Sequence, residues 1–328
     1  MPSDRIRLSV AEAREHAERA MRGIGYDAEE ACILADHAID AALCGYEYSG
    51  LAKLLNIPEH RRFRQLRRPM RVLRETDVSV VYDGGNNVGM LVMYRAAQAA
   101  IVKAARHGFA IVGVTDSWMS GRSAYYVEMI AKADLIGIHT AGSARAVAPP
   151  GGKRPALGTN PIAFGMPSAQ GPMVFDMGTS AFMGTELLYR ERMGLPLPDG
   201  VAIDSEGQPT RDPTLARAGA LLPFGGYKGF GLAFIVQAFG LLAGSAPDPD
   251  KDDGYLFMVF KPDLLADLDH FKHQLSELID RIKGTPRQPG VNEIRMPGER
   301  ALRSRERGFR DGIEINRLVY EALAALHA

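Results

Sequence analysis

The sequence has few cysteines and no net charge. Its only two cysteines, Cys32 and Cys44, fall in one stretch with helical periodicity, which supports neither a disulfide framework nor a four-ligand metal site. Lys plus Arg and Asp plus Glu each number 39, and such a balanced chain gives no reason to expect nucleic acid or an anionic membrane as a partner. We therefore expect no metal, no nucleic acid and a reducing, cytoplasmic compartment.

A secretion signal and an unambiguous membrane span are also missing. Residues 1–5 lack the apolar core of a signal peptide. The most apolar segment, residues 229–246, approaches the length of a span, but it is rich in glycine and alanine and contains Gln237. We interpret it as a buried helix and expect no membrane partner.

One local run departs from the charge balance. Residues 60–68 hold His60 and five arginines, without the alternation of basic and aromatic residues found in nucleic-acid-binding patches. We interpret the run as a solvated surface face.

Hydrophobic patterning predicts a mixed α/β protein of two lobes. The capping boxes formed by Ser9 with Glu12 and by Asp27 with Glu30 begin amphipathic helices, so the N-terminal region is predicted to be helical to about Arg71. From residue 78 onward, β-branched runs alternate with helical spacing. The pattern predicts strands at residues 78–82, 109–114, 135–139, 172–176 and 255–259, helices at 90–107, 125–133, 180–193, 229–242, 262–283 and 315–326, and an acidic loop at 247–254.

The residues with chemical potential are concentrated in a glycine-rich stretch at residues 149–231. It contains Pro-Pro-Gly-Gly at 149–152, Gly-Thr-Asn-Pro at 158–161, Asp-Met-Gly-Thr-Ser at 176–180 and Gly-Gly-Tyr-Lys-Gly at 225–229. Glycine lets the backbone approach a ligand closely, and Lys228 adds a cation where a predicted helix begins with free N–H groups. The stretch therefore indicates a loop-built pocket for a polar, anionic ligand.

These residues alone do not identify the ligand. The Gly-x-Gly-x-x-Gly fingerprint of a doubly wound dinucleotide fold is absent. A Gly-x-Ser-x-Gly elbow is absent as well, which argues against a serine hydrolase.

Five blocks, taken in order, resemble the malate/L-lactate dehydrogenase-like family of NAD(P)-dependent oxidoreductases. This family includes ureidoglycolate, sulfolactate and diketogulonate dehydrogenases and piperideine- and pyrroline-2-carboxylate reductases. The blocks are residues 148–152, 158–161, 176–180, 222–232 and Met-Pro-Gly-Glu at 296–299. Each block is a weak pattern alone, but the five occur in the family order over almost the whole chain.

The resemblance implies a non-Rossmann α/β (α+β) fold in which a largely antiparallel sheet domain binds NAD or NADP. Residues 1–75 with 285–328 would form a helical domain, and residues 76–284 would form the cofactor-binding sheet domain. A homodimer and a small carboxylate substrate, contacted by Lys53 and Thr159, are implied as well. The implied cofactor-binding residues are Met119, Ser120, Gly121, Arg122, Ser123, Met173, Val174, Phe175, Asp176, Met177, Gly178, Tyr227, Lys228, Pro297, Gly298 and Glu299.

Two motifs depart from the family pattern. Relatives that reduce keto acids carry Ser-His-Gly followed three residues later by Arg, where His donates a proton and Arg holds the substrate carboxylate. This chain has Tyr48, Ser49, Gly50 and Lys53 at those positions, and the family's His-Phe-Gly before a tyrosine pair is Met-Ser-Gly at 119–121. The catalytic candidates are therefore Tyr48, Ser49, Lys53 and Glu186, the last near an acidic position of imine-reducing relatives.

The missing histidine leaves three explanations open, because a positioned general acid is typically worth ~10²–10⁴-fold in rate. Tyr48, Ser49 or Glu47 relays the proton, or the substrate is a ketimine that is already protonated, or the protein binds cofactor without turnover. Lys53 keeps the positive charge of arginine but lacks its bidentate fork.

Simpler interpretations stand beside three of the other candidates. Glu186 has the spacing for an i,i+4 pair with Arg190 on a solvated face. Asp176 has the position of a cap for the helix predicted from residue 180, and His139 that of a core or rim residue.

The expected function is an NAD(P)-dependent dehydrogenase or reductase for a small 2-oxo acid, 2-hydroxy acid or cyclic ketimine carboxylate, with Ser49 in place of the usual histidine. The alternative is a cofactor-binding protein of the same fold without dehydrogenase activity. The choice between NAD and NADP stays open.

Overall fold

The structure, a computed structural model, describes residues 4–246 and 252–327. Its strands form one large sheet and two small pairs. They are β1 (Arg5–Leu8), β2 (Arg71–Glu75), β3 (Ser79–Val88), β4 (Phe109–Trp118), β5 (Ile136–Gly142), β6 (Ile162–Met166), β7 (Met173–Met177), β8 (Ala202–Ile203), β9 (Ala220–Leu221), β10 (Gly254–Phe260) and β11 (Ile313–Asn316).

The helices surround the sheet and build a separate helical cluster. They are α1 (Val10–Gly23), α2 (Ala28–Leu43), α3 (Leu51–Glu59), α4 (Gly89–His107), α5 (Ser123–Lys132), α6 (Gly184–Met193), α7 (Pro213–Ala218), α8 (Tyr227–Leu242), α9 (Leu268–Lys283), α10 (Glu299–Asp311) and α11 (Arg317–Ala324). Single 3₁₀ turns precede α3, at Glu47–Ser49, and α9, at Pro262–Leu264.

The large sheet has seven strands in the order β2-β3-β4-β10-β5-β6-β7. Neighbours are antiparallel except β3 and β4, which run parallel and are joined through α4. The central strand β10 pairs with β4 on one side and β5 on the other. This architecture confirms the prediction of a mixed α/β fold with a largely antiparallel sheet.

The two ends of the chain meet in the helical cluster. Strand β1 pairs antiparallel with β11, from Arg5 opposite Asn316 to Leu8 opposite Ile313. Helices α1, α2, α3 and α11 share one hydrophobic core, to which they contribute buried side chains such as Ala17, Leu34 and Leu323. Both predicted capping boxes are present, at Ser9 and Asp27, so local signals placed the starts of α1 and α2.

Several elements differ from the sequence prediction. The helix predicted at 315–326 begins only at Arg317, because Ile313–Asn316 pairs with β1. The helix predicted at 180–193 begins at Gly184, and the one predicted at 262–283 is a 3₁₀ turn followed by α9. Strands β1, β2 and β6 and helix α10 lacked a prediction. Residues 247–251 of the predicted acidic loop lie outside the described residues.

The arginine-rich run at 60–68 is exposed at Arg61, Arg64 and Arg68, as expected of a solvated face, but Arg62 and Arg67 turn inward and form a structural clamp. Arg62 is only 5% exposed. Its guanidinium donates to Asn86 Oδ1 at 2.7 Å and to the Ser117 carbonyl at 3.3 Å and is paired with Asp116. Arg67 pairs with Glu30 at 2.7 Å. The run therefore ties the segment after α3 to α2 and to the ends of β3 and β4.

Helix α8 forms where the apolar segment predicts it, but it is not buried within this chain. Ala233, Val236 and Gly240 are buried, and Gly240 packs against Gly142 of β5 and Gly254 of β10. In contrast, Phe234 is 59% and Leu242 71% exposed. No helix among residues 4–246 and 252–327 is long and apolar enough to cross a membrane.

The clamp predicts that alanine substitutions at Arg62 and at Arg64 change the free energy of unfolding by very different amounts. Arg62→Ala removes a buried guanidinium and leaves the buried amide of Asn86 without its donor, so we expect a loss of about 2 kcal/mol in the free energy of unfolding. Arg64→Ala removes an exposed side chain, and we expect a change below about 0.5 kcal/mol. Urea unfolding measures both values, and equal losses would contradict the clamp.

Candidate active site

Two adjoining cavities lie between strand β7, the start of helix α5 and the helical cluster. The larger, here the wide cavity, has a volume of ≈ 420 Å³, and the smaller, the narrow cavity, ≈ 100 Å³. They share Tyr46, Arg122 and Asp176. The wide cavity is lined by Tyr46, Arg122, Ala124, Glu128, Pro172, Val174, Phe175, Asp176, Arg295, Met296, Pro297, Gly298, Ala301, Leu302 and Arg305.

The narrow cavity has a polar lining drawn from five separate parts of the chain. Its residues are Tyr46, Tyr48, Ser49, Lys53, Gly121, Arg122, Ser123, Pro161, Asp176, Met177, Gly178, Met183 and Thr185. Gly121 has φ +82° and a Cβ there would lie 2.2 Å from His37 Nε2, so the loop before α5 can approach α2 only with glycine at this position. The cavity is thus a convergence of loop ends around a few hydroxyls and charges.

Lys53 is the buried cation of the narrow cavity. It lies on α3 and is 4% exposed. Its Nζ donates to Thr185 Oγ1 on α6 at 3.1 Å, and no carboxylate of the described residues lies within ion-pair distance of it. Burial alone lowers the pKa of Lys53 from 10.5 to about 8. An ammonium held in this way has unused hydrogen-bonding capacity directed at a ligand.

Tyr48 and Ser49 belong to the 3₁₀ turn that leads into α3. Together with Lys53 they line the narrow cavity. Burial raises the pKa of the Tyr48 phenol above its usual value, and the carboxyl group of Glu186 raises it further. The phenol therefore stays protonated at neutral pH and acts as a hydrogen-bonding group. Ser49, also buried, contributes a second hydroxyl.

Asp176 joins β7 to the start of α5. Its Oδ2 accepts from the Ala124 N–H at 3.0 Å, so it caps α5 and not the helix predicted from residue 180. Burial raises the pKa of this carboxyl, while Arg122 and the Ala124 N–H act in the opposite direction. The residue lines both cavities and places a carboxyl where they meet.

A chain of ion pairs braces the wide cavity. Arg122 binds Asp40 at 2.6 Å, and Arg305 binds both Asp40 at 2.8 Å and Glu128 at 2.6 Å. These residues come from α2, α5, α10 and the loop before α5. Because each carboxylate is paired, the network fixes the positions of the two arginines without adding net negative charge to the cavity.

The imidazoles nearest the cavities are structural. His37 Nε2 accepts from the Arg122 N–H at 2.8 Å, and burial together with the positive charge of Lys53 holds its pKa well below the usual range. His139 stacks on Phe257 with ring centroids 4.1 Å apart, and burial lowers its pKa to about 4. Neither ring lines the wide or the narrow cavity.

Some residues singled out from the sequence lie outside both cavities. Glu186 pairs with Arg190 at 3.2 Å, at the i,i+4 spacing noted above, and lines a side pocket together with Tyr48. Thr159 uses its carbonyl to accept from the Thr179 N–H at 3.0 Å. Tyr227 is 75% exposed, and Lys228 is also exposed. Met119, Ser120, Met173 and Glu299 also do not line either cavity.

Other lining residues lacked a sequence signal. Tyr46 lines both cavities and carries the guanidinium groups of Arg122 and Arg300 over its ring, at 5.2 and 4.9 Å. Thr185 is a plain helical threonine in the sequence. Arg295 precedes helix α10 and Arg305 lies within it, and this helix was not predicted. No group of three or more His, Cys, Asp or Glu within residues 4–246 and 252–327 could hold a metal ion.

The sequence of the chain was compared with protein families and with known proteins. The model for malate/L-lactate dehydrogenase matches residues 8–324. The chain is 33% identical to L-sulfolactate dehydrogenase of Methanothermobacter thermautotrophicus over 334 residues, which covers 98% of this chain and 96% of that protein. It is 37% identical over 211 residues to the Δ1-pyrroline-2-carboxylate/Δ1-piperideine-2-carboxylate reductase of Pseudomonas aeruginosa, covering 61% and 62% of the two chains.

The fold agrees with this assignment. The crystal structure of a dehydrogenase from Sinorhizobium meliloti superposes with a TM-score of 0.90 at 30% sequence identity and covers 99% of each chain. The resemblance carried by the five sequence blocks is thereby confirmed, and the chain belongs to the malate/L-lactate dehydrogenase family.

Proposed function

We propose that the protein is an NAD(P)-dependent oxidoreductase that transfers hydride between the nicotinamide and a small 2-oxo acid, a 2-hydroxy acid or a cyclic ketimine carboxylate. Family membership supports a dehydrogenase or reductase. The strongest structural support is the narrow cavity, in which the buried Lys53 ammonium has no carboxylate partner among the described residues and is flanked by the Tyr48 and Ser49 hydroxyls.

The wide cavity fits the phosphates and ribose of a dinucleotide. Arg122, Arg295 and Arg305 line it, and guanidinium N–H groups are good donors to phosphate oxygens. Gly298 has φ +83°, and a Cβ there would lie 2.7 Å from the Val174 carbonyl, so α10 approaches β7 closely enough to form one wall only because this residue is glycine. When bound, the nicotinamide supplies or accepts a hydride.

The site residues divide between the two cavities in this proposal. Cofactor contacts come from Val174, Phe175, Pro297 and Gly298 in the wide cavity, and from Gly121 to Ser123 and Asp176 to Gly178 at the junction. Lys53, Tyr48 and Ser49 contact the substrate. Tyr227, Lys228 and Thr159 lie beyond both cavities, and a role in cofactor or substrate binding requires that the ligand extend to them.

The lack of an imidazole in the narrow cavity bears on the substrate. A protonated ketimine needs only a hydride, whereas a ketone also needs a proton on oxygen. The relatives include a sulfolactate dehydrogenase and a cyclic-ketimine reductase, and both substrate classes carry the carboxylate that a buried ammonium binds. A cofactor-binding protein without turnover is the alternative, and it lacks support from the relatives.

We also propose two lobes, one from the N- and C-terminal segments and one from the intervening sheet. The shared core of α1, α2, α3 and α11 and the pairing of β1 with β11 support the helical lobe. Strand β2 pairs with β3 in the large sheet, so the boundary in the N-terminal segment lies before Arg71 rather than at residue 75.

A homodimer through α8 completes the proposal. The outward face of this helix is apolar, with Leu232, Phe234, Ile235, Leu241 and Leu242 all exposed. A continuous apolar helix face is costly in water, and a second copy of the same face buries it.

Nucleotide binding and turnover test the proposed function. We expect the fluorescence of NADH or NADPH to change on addition of protein. We expect the absorbance of the reduced nucleotide to fall when a substrate from either of two panels is added, one of 2-oxo acids and one of cyclic ketimine carboxylates.

Arg295→Ala should weaken nucleotide binding by about tenfold, because it removes a cation from the wide cavity. Arg310→Ala, at the far end of α10, is the control. Binding without turnover on any member of the two panels would instead support the non-catalytic alternative.

Light scattering during gel filtration tests the dimer. We expect a mass of twice the 35.7 kDa of the chain and dissociation of Phe234→Glu, because the substitution places a charge in the apolar interface. Leu265→Glu changes an equally apolar but 91% exposed residue outside α8 and should leave the mass unchanged. A wild-type protein that elutes at the mass of a single chain would rule out this interface.

A further inference from the structure

We propose that Lys53 exchanges a proton with the reacting oxygen of the substrate and thus performs the task for which the narrow cavity offers no imidazole. This inference rests on the proposed function. It goes beyond it by giving Lys53 a chemical role, rather than that of a fixed positive charge that only holds a carboxylate.

The position of the ammonium is fixed from two helices. Lys53 projects from α3 into the narrow cavity, and its Nζ donates one hydrogen bond to Thr185 Oγ1 on α6. An ammonium has three N–H donors, and the other two have no partner among residues 4–246 and 252–327, so they can meet a ligand. The side chain is 4% exposed, which excludes bulk water from the point of transfer.

The groups around Lys53 are less suitable proton donors. Burial keeps the Tyr48 phenol a weaker acid than an ordinary tyrosine. Burial raises the pKa of the Asp176 carboxyl, while Arg122 and the Ala124 N–H act in the opposite direction. The hydrogen bond from the Ala124 N–H also holds this carboxyl in place as the cap of α5. Arg122 does not release its proton at accessible pH. His37 uses Nε2 to accept from the Arg122 N–H and does not line the cavity.

The choice of lysine itself supports proton exchange. Arginine is the better anchor for a carboxylate because its planar fork binds both oxygens, but it stays protonated. Lysine binds less specifically and can lose its proton when burial lowers its pKa. In the narrow cavity, burial without an anionic partner brings the pKa of Lys53 to about 8, close to neutral pH, where a general acid works best.

The step balances in atoms and charge. In the reducing direction the carbonyl carbon gains a hydride, which in the proposed function comes from the reduced nicotinamide. The π-electron pair of the C=O bond moves to oxygen and takes a proton from the Lys53 ammonium. Lys53 becomes a neutral amine and recovers a proton from water when the product leaves. A protonated ketimine already carries its proton and bypasses the step.

The pH dependence follows from the direction of the shift. Ketone reduction needs the ammonium, so kcat/KM should be level below about pH 8 and fall above it. Alcohol oxidation needs the neutral amine and should rise over the same range. The titratable and charged groups around Lys53 are Tyr46, Tyr48, Asp176, Arg122 and His37. The fall of kcat/KM above about pH 8 is therefore assigned to Lys53 only if it disappears in Lys53→Arg.

The decisive comparison uses Lys53→Arg on two substrates. The variant keeps a positive charge but removes the titrating proton, so kcat for a 2-oxo acid should fall by ~10²–10⁴-fold with a small change in KM. Its kcat for a cyclic ketimine carboxylate should change by less than about tenfold. Tyr48→Phe and Ser49→Ala should each keep the limb near pH 8. Retained ketone reduction in Lys53→Arg, or equal losses on both substrates, would overturn the proposal.

A second measurement needs neither cofactor nor turnover. Competitive labelling of the wild-type chain with acetic anhydride, followed residue by residue by mass spectrometry, reports the pH at which each amine loses its proton. Lys53 should titrate near pH 8, well below the 10.5 of an ordinary lysine. Titration of Lys53 near 10.5 would overturn the proposal even if Lys53→Arg failed to fold.

The two proposals can fail separately. If the wild-type protein oxidises NADH or NADPH with neither substrate panel, the proposed function fails and the labelling result stands alone. If the wild-type protein is active and Lys53→Arg reduces the 2-oxo acid at the wild-type rate, only the role of Lys53 is wrong.

Discussion

The buried ammonium of Lys53, without a carboxylate partner in the described part of the chain, is the constraint around which the site is arranged. Lowering its pKa from 10.5 to about 8 corresponds to roughly 3 kcal/mol of destabilisation of the folded protein. The folded-state pKa is depressed, so this cost is present below about pH 8 and disappears as pH rises towards 10.5. A structural role would be served better by methionine of similar size. In the proposed function, the carboxylate of the substrate makes use of this charge.

The scaffold that tolerates this charge is built from segments far apart in the chain. Asp176 on β7 caps α5 and so fixes the loop that carries Arg122. Arg122 then reaches α2 through Asp40, and Asp40 reaches α10 through Arg305. Each link is a charge-assisted hydrogen bond between partly buried groups, and breaking one would leave another charge unpaired. The walls of the two cavities are thus held by contacts that do not themselves touch Lys53.

Local signals in the sequence predicted the elements that depend on local interactions. The capping boxes at Ser9 and Asp27 gave the starts of α1 and α2, and the β-branched runs gave β4 and β10. Strands β1 and β11 are four residues each and are stabilised by one another across the length of the chain, so no local pattern distinguishes them from coil or helix. Helix α10 is largely charged, with a single buried residue, Ala301. The family resemblance pointed to Pro297 and Gly298 at its start, but the wall formed by Ala301, Leu302 and Arg305 of this helix had no local signal in the sequence.

The site shows the same division between local and distant information. Tyr48, Ser49 and Lys53 were singled out from a short motif, and all three line the narrow cavity, because the 3₁₀ turn at Glu47–Ser49 leads directly into α3 and keeps them close together. The partner Thr185 comes from α6, 132 residues away, and carries no motif. In the function proposed above, the two departures from the family pattern have a common physical explanation. Serine at position 49 would take the place of a titratable ring, and Lys53, whose pKa burial lowers to about 8, would supply the titratable group.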